Sequence, residues 1–290
     1  MSGNSGKLLL VSEDVYGGLL LASGSQQNKD LTGEEVCELL PKYISKWRTA
    51  GARSVWAKIE RSNSDWIPVF VANSFEFHHA KSDYLMMTLW LDSDSASTLP
   101  RYPCTTIGVA GVVVSADEKI LLMKERTGPY RGWKFPGGLG DPGEDLFDTA
   151  VREVHEETGV YACPLYLLTF RHSPQAYKWS CDDLYFLVVM RPTNGDGTAA
   201  ANACVTESAE AAACRWHSRT EIEALVEPTE FTSFNRAVLD TFAESRCTGL
   251  RIERRSHVHP LRNRVYKTYA VVRAKNDEKR ATAAGDNTNY

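Results

Sequence analysis

The sequence predicts an α/β protein of two successive units, from three observations. Its 290 residues exceed the ~150 that one domain usually takes, so each unit can bury its own core. Short apolar, β-branched runs alternate with segments of helical periodicity. A polar, Ser-rich and Pro-flanked stretch, DSDSASTLPRYP at 92–103, separates the two groups. The expected units are 1–98 and 103–245, followed by a basic extension over 246–290 whose end reads as disordered. A hydrophobic content of 43% and a charged content of 24% exclude a collagen-like repeat, a coiled-coil rod and a wholly disordered chain. With 33 Lys+Arg against 37 Asp+Glu, the chain is not a uniformly basic packaging protein.

In the first unit, residues 32–48 read as a helix. Thr32 stands at the N-cap, Val36, Leu39, Leu40, Tyr43 and Ile44 share one face, and Pro41 is expected to kink or split it. Residues 54–59 read as a strand, 66–75 as a second helix interrupted by Pro68, and 75–91 as containing a further strand. His78 and His79 are neighbours on that strand. Adjacent strand residues face opposite sides, so one buried and one surface histidine are expected rather than a metal pair.

The second unit opens with strands at 106–115 and 119–125, joined across a hairpin-length gap. A Gly/Pro-rich loop over 127–143 leads into a patterned helix at 145–157. Strands follow at 165–171, 184–190 and 214–217, with an Ala/Thr-rich loop at 193–213 and a closing amphipathic helix at 231–242. Residues 246–280 hold eleven Lys/Arg against three Asp/Glu, a balance of +8, and 265–272 can form a strand within them. The seven cysteines form no C-x-x-C pair, which fits reduced thiols. Apolar runs of four residues at 8–11 and 19–22 are too short for a signal or a membrane span, so a cytoplasmic location and no membrane partner are expected.

The chemistry concentrates in GLGDPGEDLFDTAVREVHEETGV, residues 138–160, with seven acidic residues and one basic, a balance of −6. On a helix, Phe147, Ala150, Val151 and Val154 form the face that packs on a sheet. Glu153, Glu156 and Glu157 lie at i, i+3 and i+4, where like charges repel and weaken an isolated helix. Folding gains nothing from them, whereas a hard divalent cation requires such oxygen ligands. Arg152 can hold a carboxylate through a forked pair.

The spacing of Gly138, Glu144, Arg152, Glu153, Val154, Glu156, Glu157, Gly159 and Val160 matches G-x5-E-x7-R-E-U-x-E-E-x-G-U, with U apolar, and so resembles the Nudix box without departure. The preceding GWKFPGG, 132–138, resembles the family's strand into its catalytic loop. FHHA at 77–80 with YLM at 84–86 resembles the pre-Nudix domain of one subgroup, which includes plant ADP-ribose/NADH pyrophosphatases and the vertebrate antisense basic fibroblast growth factor protein. The resemblance implies a Nudix α/β/α sandwich with a mixed sheet, preceded by a smaller α/β pre-Nudix domain. It also implies Mg²⁺ or Mn²⁺ held by Glu153, Glu156 and Glu157, with help from Glu144 and the Gly137 carbonyl. Arg152 would orient the carboxylates, and Glu153 or a nearby carboxylate would activate water. The implied reaction is hydrolysis of a pyrophosphate bond in a nucleoside diphosphate linked to another moiety, with ADP-ribose or NADH preferred on the subgroup likeness.

Outside the box, Trp133 and Tyr177 are candidates to stack on a nucleobase, Arg171 to contact a phosphate, and Glu210 to add a carboxylate; for each, ordinary packing or a surface role is the competing reading. Two other functions stay open: hydrolysis of an RNA 5′ end or cap with the basic extension guiding RNA, and a regulatory protein that binds a partner without catalysis. For the extension itself, solubility or a homodimer contact competes with RNA binding.

Overall fold

The computed structural model describes residue 9 and residues 11–176, 181–196 and 211–274. The chain divides into two compact units, 1–103 and 104–290. No helix among the described residues is long and apolar enough to cross a membrane.

The first unit contains β1 (Val11–Glu13), β2 (Gly18–Ala22), α1 (Gly33–Thr49), β3 (Ser54–Glu60), a 3-10 turn (Arg61–Trp66), α2 (Ile67–Ala72), β4 (Glu76–Ala80) and β5 (Tyr84–Trp90). They form one sheet in the order β1-β2-β3-β5-β4, with only β2 and β3 parallel. A capping box starts α1: Glu35 N donates to Thr32 Oγ1 at 3.3 Å, and Thr32 N to Glu35 Oε2 at 3.0 Å. Val36, Leu40, Ile44 and Trp47 bury its inner stripe against Val55, Ala57, Ile59, Met87 and Leu89 of the sheet.

Several expectations for this unit are corrected. Pro41 neither splits nor stops α1, because its ring lies on the exposed face, where water can replace the missing hydrogen bond. Pro68 stands at the start of α2, a position that asks for no intrahelical N–H, so it opens the helix rather than interrupting it. The single strand expected within 75–91 is a hairpin, and β1 and β2 had no sequence signal beyond four-residue apolar runs. A bulge between Phe77 and His79 brings both histidines to one side: their Nδ1 atoms lie 2.7 Å apart and both rings are half-buried.

The second unit contains β6 (Thr105–Val113), β7 (Ile120–Glu125), β8 (Gly137–Leu139), α3 (Leu146–Thr158), β9 (Ala162–Ser173), β10 (Asp182–Pro192), β11 (Ala211–His217), α4 (Arg219–Glu223), α5 (Ser233–Thr248), β12 (Leu250–Val258) and β13 (Val265–Arg273). Its main sheet runs β13-β12-β9-β10-β6-β8, mixed because β6 and β10 are parallel while the other neighbours are antiparallel. β6 is buried on both faces. Val109 and Val113 join Phe147, Ala150 and Val154 of α3 in one core; Ala110 and Val112 join Phe231, Val238 of α5 and Ile222 of α4 in another. This is the expected α/β/α sandwich with a mixed sheet, preceded by a smaller α/β unit.

Here too the structure departs from expectation. β6 and β7 do not form a hairpin ladder. One bridge, Val114 to Ile120, links the turn, and β7 pairs with β11 in a separate two-stranded sheet. The helix expected at 231–242 is α5, and it does not close the fold. Over its described length the 246–290 extension is no separate arm: it completes α5 and adds the β12–β13 hairpin, tied to the main sheet where Ile252 pairs with Leu167. Three of its arginines are engaged within the unit, Arg246 with Glu118, Arg251 with Glu253 and Arg254 with Asp145. The thiols are not all reduced: Cys104 and Cys181 form a disulfide, their Cα atoms 4.7 Å apart. The parallel pairing of Thr105 with Asp182 sets the two preceding residues side by side, a proximity that sequence spacing could not reveal.

Candidate active site

The site is built where β8, the 140–145 loop and α3 meet. Asp145 caps α3 by accepting from Phe147 N at 3.0 Å, and Gly159 ends it in the left-handed region, φ 71°. The helix buries Phe147, Ala150 and Val154, which leaves Arg152, Glu153 and Glu156 turned toward β8 and the loop.

Arg152 organises the carboxylates. Its Nε donates to Glu144 Oε1 at 2.9 Å and its Nη2 to Glu144 Oε2 at 2.9 Å; Nη1 donates to Glu153 Oε1 at 2.8 Å and Glu156 Oε2 at 3.0 Å; Nη2 also reaches the Leu139 carbonyl at 3.0 Å. All five guanidinium N–H groups thus find acceptors. Glu144 Oε2 accepts further from Thr149 Oγ1 at 2.8 Å and Asp141 N at 3.0 Å. The hydrogen bonds from Arg152, partly opposed by burial, lower the Glu144 pKa to about 2. The Arg152 pKa is raised, chiefly by the hydrogen bond to Glu144.

Glu157 faces the sheet instead and is only 5% exposed. Its Oε2 accepts from Gly137 N at 2.6 Å, and its Oε1 lies 3.7 Å from Lys134 Nζ. Burial raises its pKa to about 7; Lys134 and the Gly137 N–H pull it down, while Glu153 and Glu125 add to the rise. Lys134 is shared, with its Nζ also 2.5 Å from Glu125 Oε1, and two backbone hydrogen bonds of 2.9 Å to Met123 hold it rigidly. Gly138 leaves the space that Glu153 fills: a Cβ there would lie 2.6 Å from Glu153 Oε2.

The structure therefore brings Glu144, Glu153 and Glu156 onto Arg152 and Glu157 onto Gly137, residues that the spacing and the family resemblance together had singled out. In this conformation the carboxylates converge on Arg152 and on Gly137–Lys134 rather than on one point, and among the described residues no three acidic, His or Cys side chains form a ready metal group. Sequence reasoning missed Lys134 and Thr149; a basic residue just ahead of the glycine pair and a hydroxyl five residues after Glu144 were the available signals.

Arg171 lies on β9, where its Nη2 donates to the buried Asp183 Oδ2 at 2.7 Å and its guanidinium carbon sits 5.2 Å from the Tyr185 ring and 4.8 Å from the Phe234 ring. Tyr185 packs over Gly108, where a Cβ would lie 2.6 Å from the Tyr185 ring and 3.6 Å from the Gly138 carbonyl. This aromatic and cationic wall thus adjoins β8, whose Gly138 leaves room for Glu153. Trp133 is corrected. It is buried, with His217 edge-on at 4.4 Å and Lys124 and Arg215 within 4.9 and 5.5 Å of its centroid, so its ring is used in packing and is not open to a base. Tyr177 and Glu210 lie outside the described residues.

Comparison with known proteins agrees with this geometry. A NUDIX domain model matches residues 105–242 and a Nudix hydrolase domain model matches residues 9–91. Over 196 residues the chain is 33% identical to Nudix hydrolase 2 of Arabidopsis thaliana, covering 66% of this chain and 68% of that protein. Over 171 residues it is 37% identical to the nucleoside diphosphate-linked moiety X motif 6 protein of Xenopus laevis, covering 58% and 74%. With Nudix hydrolase 8 of Arabidopsis thaliana the identity is 32%, and the matched region spans 64% of this chain but only 50% of that relative. Both units match, the box is intact and the carboxylates are assembled around its arginine: this chain belongs to the Nudix hydrolase family.

Proposed function

We propose that this chain hydrolyses a pyrophosphate bond in a nucleoside diphosphate linked to another moiety, with ADP-ribose and NADH as the preferred substrates and Mg²⁺ or Mn²⁺ as the cofactor. The observation that carries the reading is the assembly of Glu144, Glu153 and Glu156 on one guanidinium beside the buried Glu157.

The residues suit a hard divalent cation. They offer only carboxylate oxygens and the Gly137 carbonyl, and Glu157 is an acid whose burial disfavours the charge that a cation would restore. Glu153, Glu156 and Glu157 would hold the ion, with Glu144 and Gly137 assisting. When bound, the ion offsets the charge of the two phosphoryl groups and lowers the pKa of water. Arg152 keeps the carboxylates in register, and Glu153, beside the open Gly138, accepts the proton of the attacking water. Lys134 holds Glu157 toward Gly137. Arg171, packed on the Tyr185 and Phe234 rings with its side chain 41% exposed, provides a cation for a phosphate. The substrate preference rests on the subgroup likeness.

The test is a panel of ADP-ribose, NADH, coenzyme A, diadenosine polyphosphates, 8-oxo-dGTP and capped RNA, with product identification and the Glu153→Gln variant alongside. Metal-dependent release of AMP from ADP-ribose or NADH, lost in Glu153→Gln while the circular dichroism spectrum stays unchanged, is the expected result. Activity surviving in that variant within a few-fold sinks the mechanism, and preferential turnover of capped RNA sinks the substrate assignment.

A further inference from the structure

The two charge blocks of the sequence, −6 over 138–160 and +8 over 246–280, meet in space at one point. Arg254 of β12 donates through Nη1 to Asp145 Oδ1, the same oxygen that accepts from Phe147 N and so caps α3. Its guanidinium carbon lies 4.4 Å from the centroid of the Phe147 ring. Directly across the hairpin, Tyr269 is the register partner of Arg254 and places its ring 6.1 Å from Phe147, tilted 62°. Ile252, two residues before Arg254 on the same strand face, pairs with Leu167 and packs with Tyr269 against the α3 core. One cross-strand pair thus clamps the first turn of α3 from outside the segment that the NUDIX domain model matches, 105–242.

The clamp has an electrostatic reason. Asp141, Glu144, Asp145 and Asp148 crowd four carboxylates into eight residues of one loop and helix turn. Arg152 engages Glu144, and Arg254 engages Asp145. With both arginines in place the junction of loop and helix is held from two directions: Glu144 from within the box and its neighbour Asp145 from the C-terminal hairpin. The guanidinium lies over the Phe147 ring while its Nη1 reaches Asp145, two contacts that a lysine ammonium cannot make together in the same geometry.

From this geometry we infer that Arg254 and Tyr269 are positioning residues for the metal-binding loop, acting through Asp145 and Phe147 on Glu144, so that the C-terminal hairpin sets the protein's affinity for its divalent cation. The metal part of the inference rests on the assignment of Glu144 as an assisting ligand; the loop-clamp part does not.

The experiment therefore has two arms on the full chain. In the first, hydrogen exchange is followed without metal in wild type, Arg254→Met and Arg254→Lys. Exchange over 141–147 is expected to rise about tenfold in Arg254→Met and less in Arg254→Lys, with the rest of the unit unchanged. Unaltered exchange over 141–147, or a rise spread over the whole unit, overturns the clamp. In the second, Mn²⁺ binding is titrated in wild type, Arg254→Met, Glu144→Gln and the double variant. Arg254→Met is expected to weaken binding about five- to tenfold, and to weaken it no further once Glu144 is already Gln. An equal additional loss in the Gln background, or no loss in either, overturns the route through Glu144. Failure of Glu144→Gln itself to weaken Mn²⁺ binding overturns the ligand assignment and leaves the exchange arm to decide the clamp.

Discussion

Arg152 and Glu144 are joined by a two-pronged hydrogen-bonded fork, Nε to Oε1 and Nη2 to Oε2, both at 2.9 Å, across eight residues from helix to loop. The planar fork is the reason for an arginine here: a lysine carries the charge but cannot bridge Glu144, Glu153, Glu156 and the Leu139 carbonyl together. Arg152→Lys should weaken Mn²⁺ binding and lower kcat/KM by tenfold or more. Arg152→Met should also destabilise the metal-free protein by about 2–4 kcal/mol, since three carboxylates lose their partner. Metal titration and urea unfolding measure the two effects separately; a Lys variant with wild-type metal affinity contradicts the assigned role.

The buried Glu157 makes a pH prediction. Its folded-state pKa is raised to about 7, so the native state keeps its proton while the unfolded chain ionises near the ordinary value. Stability of the metal-free protein should therefore fall as pH rises from about 4.5 to 7, by at most roughly 3 kcal/mol, and level off above. Glu157→Gln should flatten this slope in urea melts run with a chelator at pH 5, 6, 7 and 8. A slope identical to that of wild type assigns the pH dependence elsewhere.

Neighbouring glycines separate fold from function. A Cβ on Gly137 would lie 2.3 Å from the Val109 carbonyl oxygen, a backbone atom of β6 that cannot yield. A Cβ on Gly138 meets instead the carboxylate end of Glu153 at 2.6 Å, which can swing away. Gly137→Ala should cost about 2–4 kcal/mol of stability. Gly138→Ala should melt within a few degrees of wild type yet lose most of its hydrolytic activity. Comparable melting losses in both variants contradict this division.

Arg171 is paired with the buried Asp183, and a double substitution separates that structural role from the proposed contact with a substrate phosphate. Asp183 is only 3% exposed at its side chain, and Thr106 Oγ1 at 3.5 Å is a weak substitute partner. Arg171→Ala should cost about 2–4 kcal/mol by leaving that carboxylate unpaired, and Asp183→Asn on top should recover part of the loss. If Arg171 also contacts a substrate phosphate, KM should rise several-fold in both variants while kcat changes less. Restoration of KM together with stability in the double variant assigns Arg171 to packing alone.

How much was legible follows from what kind of constraint each residue obeys. The box could be read because a helix turns local spacing into shared faces, so Arg152 was placed beside Glu153 and Glu156 by periodicity, while Glu144 on the loop came from the family resemblance and Glu157 turned to the sheet rather than to their shared face. The core face of α3 followed from the same periodicity. Contacts set by distant pairing could not be read. Cys104 meets Cys181 only because β6 and β10 run in parallel, and Arg254 meets Asp145 only because β12 joins β9. The His78–His79 contact turned on a one-residue bulge, which reverses the side that an alternating strand implies. Trp133 stayed open between stacking on a base and packing because aromatic composition says nothing of what covers the ring. Pro41 was misread because the penalty of a helical proline depends on whether its face meets water or core.

The position of β6 also fixes the order in which the second unit can assemble. Its first residues leave the ribosome nearly eighty residues ahead of their parallel partners on β10, and β12, which ties down the C-terminal hairpin, follows later still. Until then the strand that supports β8 has one unsatisfied edge, and the acidic helix has no second cation at its start. Such long-range closure favours slow, late maturation. The first unit, whose five strands are all made by residue 90, can finish well before it. In refolding, where every strand is present from the start, the same long-range closure should make hydrolytic activity the last signal to return, so that the reaction itself times the docking of the last strand.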